Sequence, residues 1–136
     1  RTLRRAQRDV FRIGLVLSGS GGSRRALVSR RRAMVRRLEN EIKDMRAGLS
    51  PCRGFIVPGG NLLSSAAHVA RAICRRAERD CAAALANAPE GRAVLPYLNR
   101  LGEWLFVLAR WFAKALGGKE EFWQAPAKSR FSRSRR

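Results

Sequence analysis

Residues 55–79 read FIVPGGNLLSSAAHVARAICRRAER, an apolar segment, a turn and a helical run in succession. Phe55-Ile56-Val57 is apolar and strand-like. Pro58-Gly59-Gly60 then turns the backbone, because proline fixes φ and glycine permits positive φ. A helix is predicted to follow, capped by Asn61 or by Ser64-Ser65, whose short polar side chains can accept from the free N–H groups of a first turn. Ala66, Ala70, Ile73, Ala77 and Ala84 recur at helical spacing, which suits close packing against another helix. His68, Arg71, Arg75 and Glu78 follow one another three, four and three residues apart and so form a single polar stripe. Arg76 and Arg79 fall on a neighbouring face. Such a stripe fits two readings. Guanidinium forks can hold a polyphosphate while the carboxylate orients them or a ribose. Alternatively, Arg75 and Glu78 form an i,i+3 pair on a solvated face.

On the N-terminal side, residues 1–17 predict a helix with an apolar stripe of Leu3, Ala6, Val10, Ile13 and Leu17. Arg1, Arg4, Arg5, Arg8 and Arg12 crowd its opposite side, with Asp9 the single acid among them. Ser18–Ser23, SGSGGS, has the composition of a flexible linker and lacks the Gly-Lys-Ser/Thr ending of a phosphate-cradling loop. With the arginines that follow, residues 18–32 read as a Gly/Arg-rich loop. A second helix is expected from about Ser29 to Ala47, with Met34, Leu38, Ile42 and Met45 inward and Gly48-Leu49-Ser50-Pro51 ending it.

Beyond the organising helix, which stops near Asn87-Ala88-Pro89, a last helix is expected from about Gly91 to Leu116. Val94, Leu98, Leu101, Leu105, Leu108, Phe112 and Leu116 alternate at steps of four and three, a near-heptad seam for a bundle or an oligomer. Trp104 and Trp111 lie off that seam and read as peripheral packing, a neighbouring-subunit anchor or a base-stacking surface. The tail APAKSRFSRSRR, residues 125–136, is expected to be disordered alone and to order on a polyanion. Residues 1–124 then make one helical domain.

An apolar content of 46% excludes wholesale disorder, and no run of 18 apolar residues offers a membrane span. The formal charge of +19 is extreme for 136 residues. Its excess sits at the ends: residues 1–50 carry 14 Lys/Arg against 4 Asp/Glu, residues 51–124 carry 10 against 6, and residues 125–136 carry 5 against none. Such a balance points to a polyanionic partner, nucleic acid or an anionic membrane surface. The membrane reading is the weaker, since the apolar stripe of residues 1–17 is needed for the core. Cys52, Cys74 and Cys81 lack CxxC spacing and His68 is the single histidine, so no metal site is expected and the cysteines read as small buried thiols.

FIVPGG, then HVARAICRRAER, then YLNRLGEWLFVLAR, in this order and spacing over roughly residues 55–112, resemble the C-terminal half of the ATP:cob(I)alamin adenosyltransferases of the PduO type. Residues 3–17 and 31–47 resemble the preceding helices of that family more faintly. The resemblance implies an all-α antiparallel helical bundle and a trimer in which ATP and the corrinoid meet between subunits. In that chemistry Co(I) attacks the 5′ carbon of ATP, and triphosphate leaves with magnesium. Carried over by motif, Arg75, Glu78 and Asn99 contact the nucleotide, and Arg71 pairs with an aspartate of another subunit. Phe55 packs beneath the corrin and keeps the lower ligand off.

Two departures weigh against activity. The family opens with a threonine- and glycine-rich nucleotide loop and a helix that supplies the aspartate, and residues 1–136 contain neither. The Leu-Ser-Asp that follows the family's Asn-Arg pair reads Leu101-Gly102-Glu103, and a glycine inside a helix costs about 1 kcal/mol relative to alanine. Together with the charged ends, these departures lead to the expectation of a non-catalytic adenosyltransferase-like scaffold. It would bind RNA in a ribonucleoprotein of the mitochondrial matrix, with the mitochondrial ribosome the leading candidate. ATP, magnesium and cobalamin would then not be required, and the adenosyltransferase positions would be vestigial. The expected RNA contacts are Arg1, Arg4, Arg5, Arg8, Arg12, Arg24, Arg25, Arg30, Arg31, Arg32, Arg36, Arg37, Lys128, Arg130, Arg133, Arg135 and Arg136. The alternative is an active ATP-dependent cob(I)alamin adenosyltransferase that makes adenosylcobalamin.

Overall fold

A computed structural model describes residues 2–124. Four helices carry the chain: α1 Thr2–Leu17, α2 Arg24–Ala47, α3 Leu62–Ala84 and α4 Gly91–Ala115. Two short strands, β1 Ile56–Val57 and β2 Glu121–Phe122, pair antiparallel with Ile56 opposite Phe122 and Val57 opposite Glu121. The all-α bundle expected from the sequence is thus present, with β2 as an addition.

α4 is the centre of the bundle, packed by α3 on one side and α2 on the other. Its Val94, Tyr97, Leu98, Leu101, Trp104, Leu105 and Val107 are all buried. The predicted seam therefore holds over its first two-thirds, whereas Leu116 at its end is exposed. Trp104 is a core residue rather than a peripheral one. It is 1% exposed and donates its indole N–H to Glu41 Oε2 at 2.8 Å, tying α4 to α2.

α2 begins five residues earlier than expected. Ser23 Oγ accepts from Ala26 N at 3.2 Å, so the cap sits at Ser23 and Arg24–Arg32 are helical rather than part of a loop. Only residues 18–23 connect α1 to α2.

Two helices are rotated about their axes relative to what their apolar spacing suggested, with Ala6, Ile13 and, in part, Ala70 still inward. In α1 the buried residues are Ala6, Asp9, Ile13 and Val16, while Leu3, Val10 and Leu17 are exposed. The cause is Asp9: it accepts from Arg37 Nη2 at 2.7 Å and is reached by the buried Tyr97 hydroxyl at 3.5 Å. In α3 the inward residues are Ser64, Ala67 and Cys74, and Ala66, Val69 and Ile73 face outward. Asn61 is the cap, accepting from Ser64 N at 2.9 Å. Cys74 is buried as expected and Cys81 partly so, but Cys52 is exposed. Among the described residues no helix is long and apolar enough to cross a membrane.

Candidate active site

The α3–α4 hairpin brings together three of the positions singled out in the sequence. Arg75 Nη1 donates to Glu78 Oε2 at 2.5 Å, and Asn99 Nδ2 donates to Glu78 Oε1 at 2.9 Å. Glu78 is therefore the hub, with one oxygen committed to each partner, and its side chain is 17% exposed against 45% for Arg75. A carboxylate so engaged fixes the guanidinium in one orientation while the outer N–H groups of Arg75 stay open to solvent and to an anion. Of the two readings of the stripe, the structure shows the ion pair. Arg75 and Glu78 are the i,i+3 pair, and Asn99 from the facing helix adds a second hold on Glu78.

Gly102 has a specific reason to be glycine. A Cβ there would lie 3.1 Å from Arg75 Cδ and 3.8 Å from its Cγ. The aliphatic stem of Arg75 lies on the bare backbone of α4, so Gly102 shapes the site rather than weakening it. Glu103, beside it, faces elsewhere: it accepts from Arg46 Nη2 at 2.7 Å and also pairs with Arg100.

One turn earlier in α3, Arg71 lies over the Phe106 ring, with its guanidinium carbon 5.3 Å from the ring centroid. His68 meets the same ring edge-on at 6.3 Å between centroids. The His68 imidazole titrates below its ordinary range, chiefly because it is partly buried and secondarily because Arg71 is near. Arg71 makes no ion pair among the described residues. The stripe thus divides into two pairs, His68 with Arg71 on Phe106, and Arg75 with Glu78 on Asn99.

Phe55 stands at the edge of β1 and is 83% exposed, although its backbone is held: its carbonyl accepts from Trp123 N at 2.7 Å. Burial raises the Cys74 thiol to about 11, with a further contribution from Glu78, so it packs behind the site as a neutral group. Among the described residues no cluster of three His, Cys, Asp or Glu side chains suits a bound metal ion.

Four of the arginines expected to contact RNA have partners within the fold, although Arg12 and Arg24 among them are exposed, as is Arg30. Arg37 and Arg12 pair with Asp9 at 2.7 and 3.5 Å, Arg24 pairs with Glu90 at 2.8 Å, and Arg31 donates to the Arg92 carbonyl at 3.0 Å. Arg12, Arg30 and Arg37 border a groove of about 580 Å³ between α1 and α2 that is walled by Leu15, Val16, Leu27 and Met34. Arg4, Arg5, Arg8, Arg25, Arg32 and Arg36 are exposed. Arg1, Lys128, Arg130, Arg133, Arg135 and Arg136 lie outside the described residues.

The α3–α4 hairpin thus presents an oriented arginine–glutamate–asparagine set on a bundle of four helices. The model of the cobalamin adenosyltransferase family matches residues 1–112, and the chain belongs to that family. It is 41% identical over 112 residues to the corrinoid adenosyltransferase of Mycobacterium tuberculosis, covering 79% of this chain and 58% of that protein. It is 36% identical over 123 residues to the cobalamin adenosyltransferase of Cupriavidus metallidurans, covering 90% and 64%. The human corrinoid adenosyltransferase MMAB is 40% identical over 86 residues, covering 63% and 34%. Among solved structures, a variant of the PduO-type ATP:corrinoid adenosyltransferase from Lactobacillus reuteri, complexed with cobalamin and ATP, superposes with a TM-score of 0.63. Its identity is 31%, over 67% of this chain and 50% of that one.

These findings overturn the expectation of an RNA-binding ribonucleoprotein scaffold, mitoribosomal or otherwise, and give no support to the expectation that the family's small molecules are not required. The relatives carry adenosyltransferase names, and the solved neighbour holds cobalamin and ATP. Both departures that had favoured the scaffold lose their force. The chain spans 58% of the mycobacterial relative and 50% of the solved chain, so a nucleotide loop missing from residues 1–136 does not count against the site. Gly102 accommodates Arg75.

Proposed function

We propose that the protein is an ATP-dependent corrinoid adenosyltransferase in which the α3–α4 hairpin supplies one wall of the active site. The observation that carries this reading is the Arg75–Glu78–Asn99 set, held at 2.5 and 2.9 Å across the hairpin. In the reaction the family resemblance implies, a Co(I) corrinoid displaces triphosphate from the 5′ carbon of ATP. A Co–C bond forms, a C–O bond breaks, and the electron pair of the metal becomes the bond.

Arg75, oriented by Glu78, suits the developing negative charge of the leaving triphosphate, and Asn99 keeps Glu78 from turning away. Cys74, neutral and buried behind the set, adds no competing charge. Phe55, exposed at the edge of β1, suits the apolar packing beneath a corrin ring that excludes a lower ligand. Magnesium would travel with the triphosphate, and the described residues provide no resident site for it.

A homotrimer belongs to the same proposal. Leu62, Ala66, Val69 and Ile73 form an exposed apolar stripe along α3, beside an Arg71 without an acidic partner among the described residues. A neighbouring subunit would cover the stripe and pair with the arginine. A mitochondrial matrix location rests on the resemblance to a family with mitochondrial members.

The test is titration of the full protein with Mg·ATP, followed by anaerobic turnover with cob(I)alamin and spectroscopic detection of the Co–C bond. Micromolar ATP binding that is lost in Arg75→Ala, together with adenosylcobalamin formation, is the expected result. Absence of both in the wild-type protein would rule the reading out.

A further inference from the structure

The chain after α4 does more than end the bundle. Gly117 has φ +69° and Gly118 N donates back to the Ala113 carbonyl at 2.7 Å, which turns the backbone toward β1. A Cβ on Gly118 would lie 2.9 Å from the Gly60 carbonyl, and one on Gly60 would lie 3.4 Å from Ala113 Cβ. The Gly59-Gly60 turn before α3 and the Gly117-Gly118 turn after α4 therefore pack against each other. Asn61 joins them further: while capping α3 it donates from Nδ2 to the Phe112 carbonyl at 2.9 Å.

From that crossing, residues 119–124 run back along β1 as a strap. Glu121 and Phe122 pair with Val57 and Ile56, and Trp123 N donates to the Phe55 carbonyl. One buckle fastens the strap to the bundle. Arg110, only 6% exposed on α4, donates from Nε to Glu120 Oε1 at 2.7 Å and from Nη2 to Glu120 Oε2 at 3.1 Å. The same Nη2 reaches the Ser50 carbonyl at 2.7 Å, so one guanidinium holds both the strap and the loop that leads into Phe55. Apart from these backbone partners Phe55 is 83% exposed, and side-chain packing does not fix it. The strap also lies beyond residue 112, where the family match stops.

We propose that Arg110 and Glu120 are positioning residues for the corrinoid. Through the strap they fix the backbone of Phe55 and so set how the corrin face is packed, without touching the ATP-facing set on the α3–α4 hairpin. The proposal rests on the adenosyltransferase reading. A bidentate, largely buried arginine–carboxylate pair is geometrically specific in a way that a surface pair is not. Losing one partner leaves the other buried without its charge. Releasing the buckle frees the strap, and Phe55 loses its Trp123 partner with it.

The test uses the full protein and two variants, Glu120→Gln and Trp123→Pro. The second removes the N–H that holds the Phe55 carbonyl at a side chain that is 62% exposed, so it spares the core should the first fail to fold. Hydrogen exchange of residues 55–57 and 121–123 reads the strap. Steady-state kinetics reads KM for cob(I)alamin and for ATP separately, and electron paramagnetic resonance of bound cob(II)alamin with ATP reads whether the lower ligand is still in place.

The expected result is faster exchange in both segments, a KM for corrinoid raised about tenfold, the equivalent of one 1.4 kcal/mol step, and a larger fraction of cob(II)alamin with its lower ligand retained. KM for ATP should stay at the wild-type value. Unchanged exchange, or faster exchange with unchanged corrinoid parameters, overturns the proposal alone. A wild-type protein that binds no corrinoid overturns the adenosyltransferase reading and the proposal with it.

Discussion

Replacing Gly102 by alanine separates stability from function at a single atom. In the middle of a helix the exchange is favourable by about 1 kcal/mol, because alanine loses less backbone freedom on folding. Gly102 is buried on α4 and its φ is not in the left-handed region, so the backbone accepts alanine without strain. The new Cβ, however, would sit 3.1 Å from Arg75 Cδ, a few tenths of an ångström inside ordinary contact. What must move is the stem of a side chain that is 45% exposed and can swing outward.

The cost of that movement falls on the 2.5 Å contact with Glu78 rather than on the core. A charge-assisted hydrogen bond to a partly exposed guanidinium contributes about 1 kcal/mol, which corresponds to roughly five-fold in affinity. The helix gain and the weakened Glu78 contact offset each other in the fold, so Gly102→Ala is expected to leave the thermal midpoint within about 1 °C of wild type and to weaken Mg·ATP binding about five-fold. Differential scanning fluorimetry and isothermal titration measure the two effects on one preparation. A lowered midpoint would mean that the stem of Arg75 cannot yield. Unchanged ATP affinity would mean that its packing on α4 has no part in orienting the fork. Either result refutes the reasoning.

Asp9→Ala removes the carboxylate that meets Arg37 at 2.7 Å, leaving that guanidinium only its longer 3.9 Å contact with Glu41, and should lower the unfolding free energy by about 2 kcal/mol in urea titrations. Because burial holds His68 below its unfolded pKa of 6.5, the unfolded chain binds the proton first as pH falls. Stability should therefore decline as pH drops below that value, and His68→Gln should abolish this part of the slope. Cys74 works in the opposite direction: its folded thiol lies at about 11 against 9.0, so stability should fall as pH rises from 9 toward 11, and Cys74→Ala should flatten that limb. At neutral pH iodoacetamide should label exposed Cys52 well before Cys74, as peptide mass analysis will record. Ile73→Glu places a charge in the exposed stripe of α3 and should turn a trimer into monomers by sedimentation, with little change in the thermal midpoint of the monomer.

Much of this structure could be read from the chain, and the parts that could not share a physical cause. Periodicity located all four helices, since an apolar recurrence needs no partner to be recognised. Which face turns inward depends on a partner. Asp9 looked like a lone acid on an arginine face until Arg37, 28 residues on, reached across to it. On α3 a shift of one residue, from Ala66 and Ile73 to Ala67 and Cys74, turns the buried face by about 100°. Spacing alone cannot choose between those two faces when both are lined with small apolar residues. The strand at Glu121–Phe122 is two residues long, too short for any alternation to mark it, and its reason for existing lies more than sixty residues upstream at Ile56–Val57.

The functional misreading had the same origin. A count of charges treats every arginine as available, yet Arg12, Arg24 and Arg37 each face a carboxylate inside the fold. A helix-propensity rule charges Gly102 with a defect, yet the missing side chain is the space Arg75 occupies. Composition describes residues singly, whereas the site is made of pairs: Arg75 with Glu78, Glu78 with Asn99, Arg75 with the bare backbone at Gly102. The motifs of residues 55–112 encode those pairs in their spacing, because Arg75 and Asn99 must arrive at one level of the hairpin to share Glu78. For this chain, motif spacing therefore outweighs net charge as a guide to chemistry. The basic residues that remain exposed on α1 and α2 take no part in those pairs.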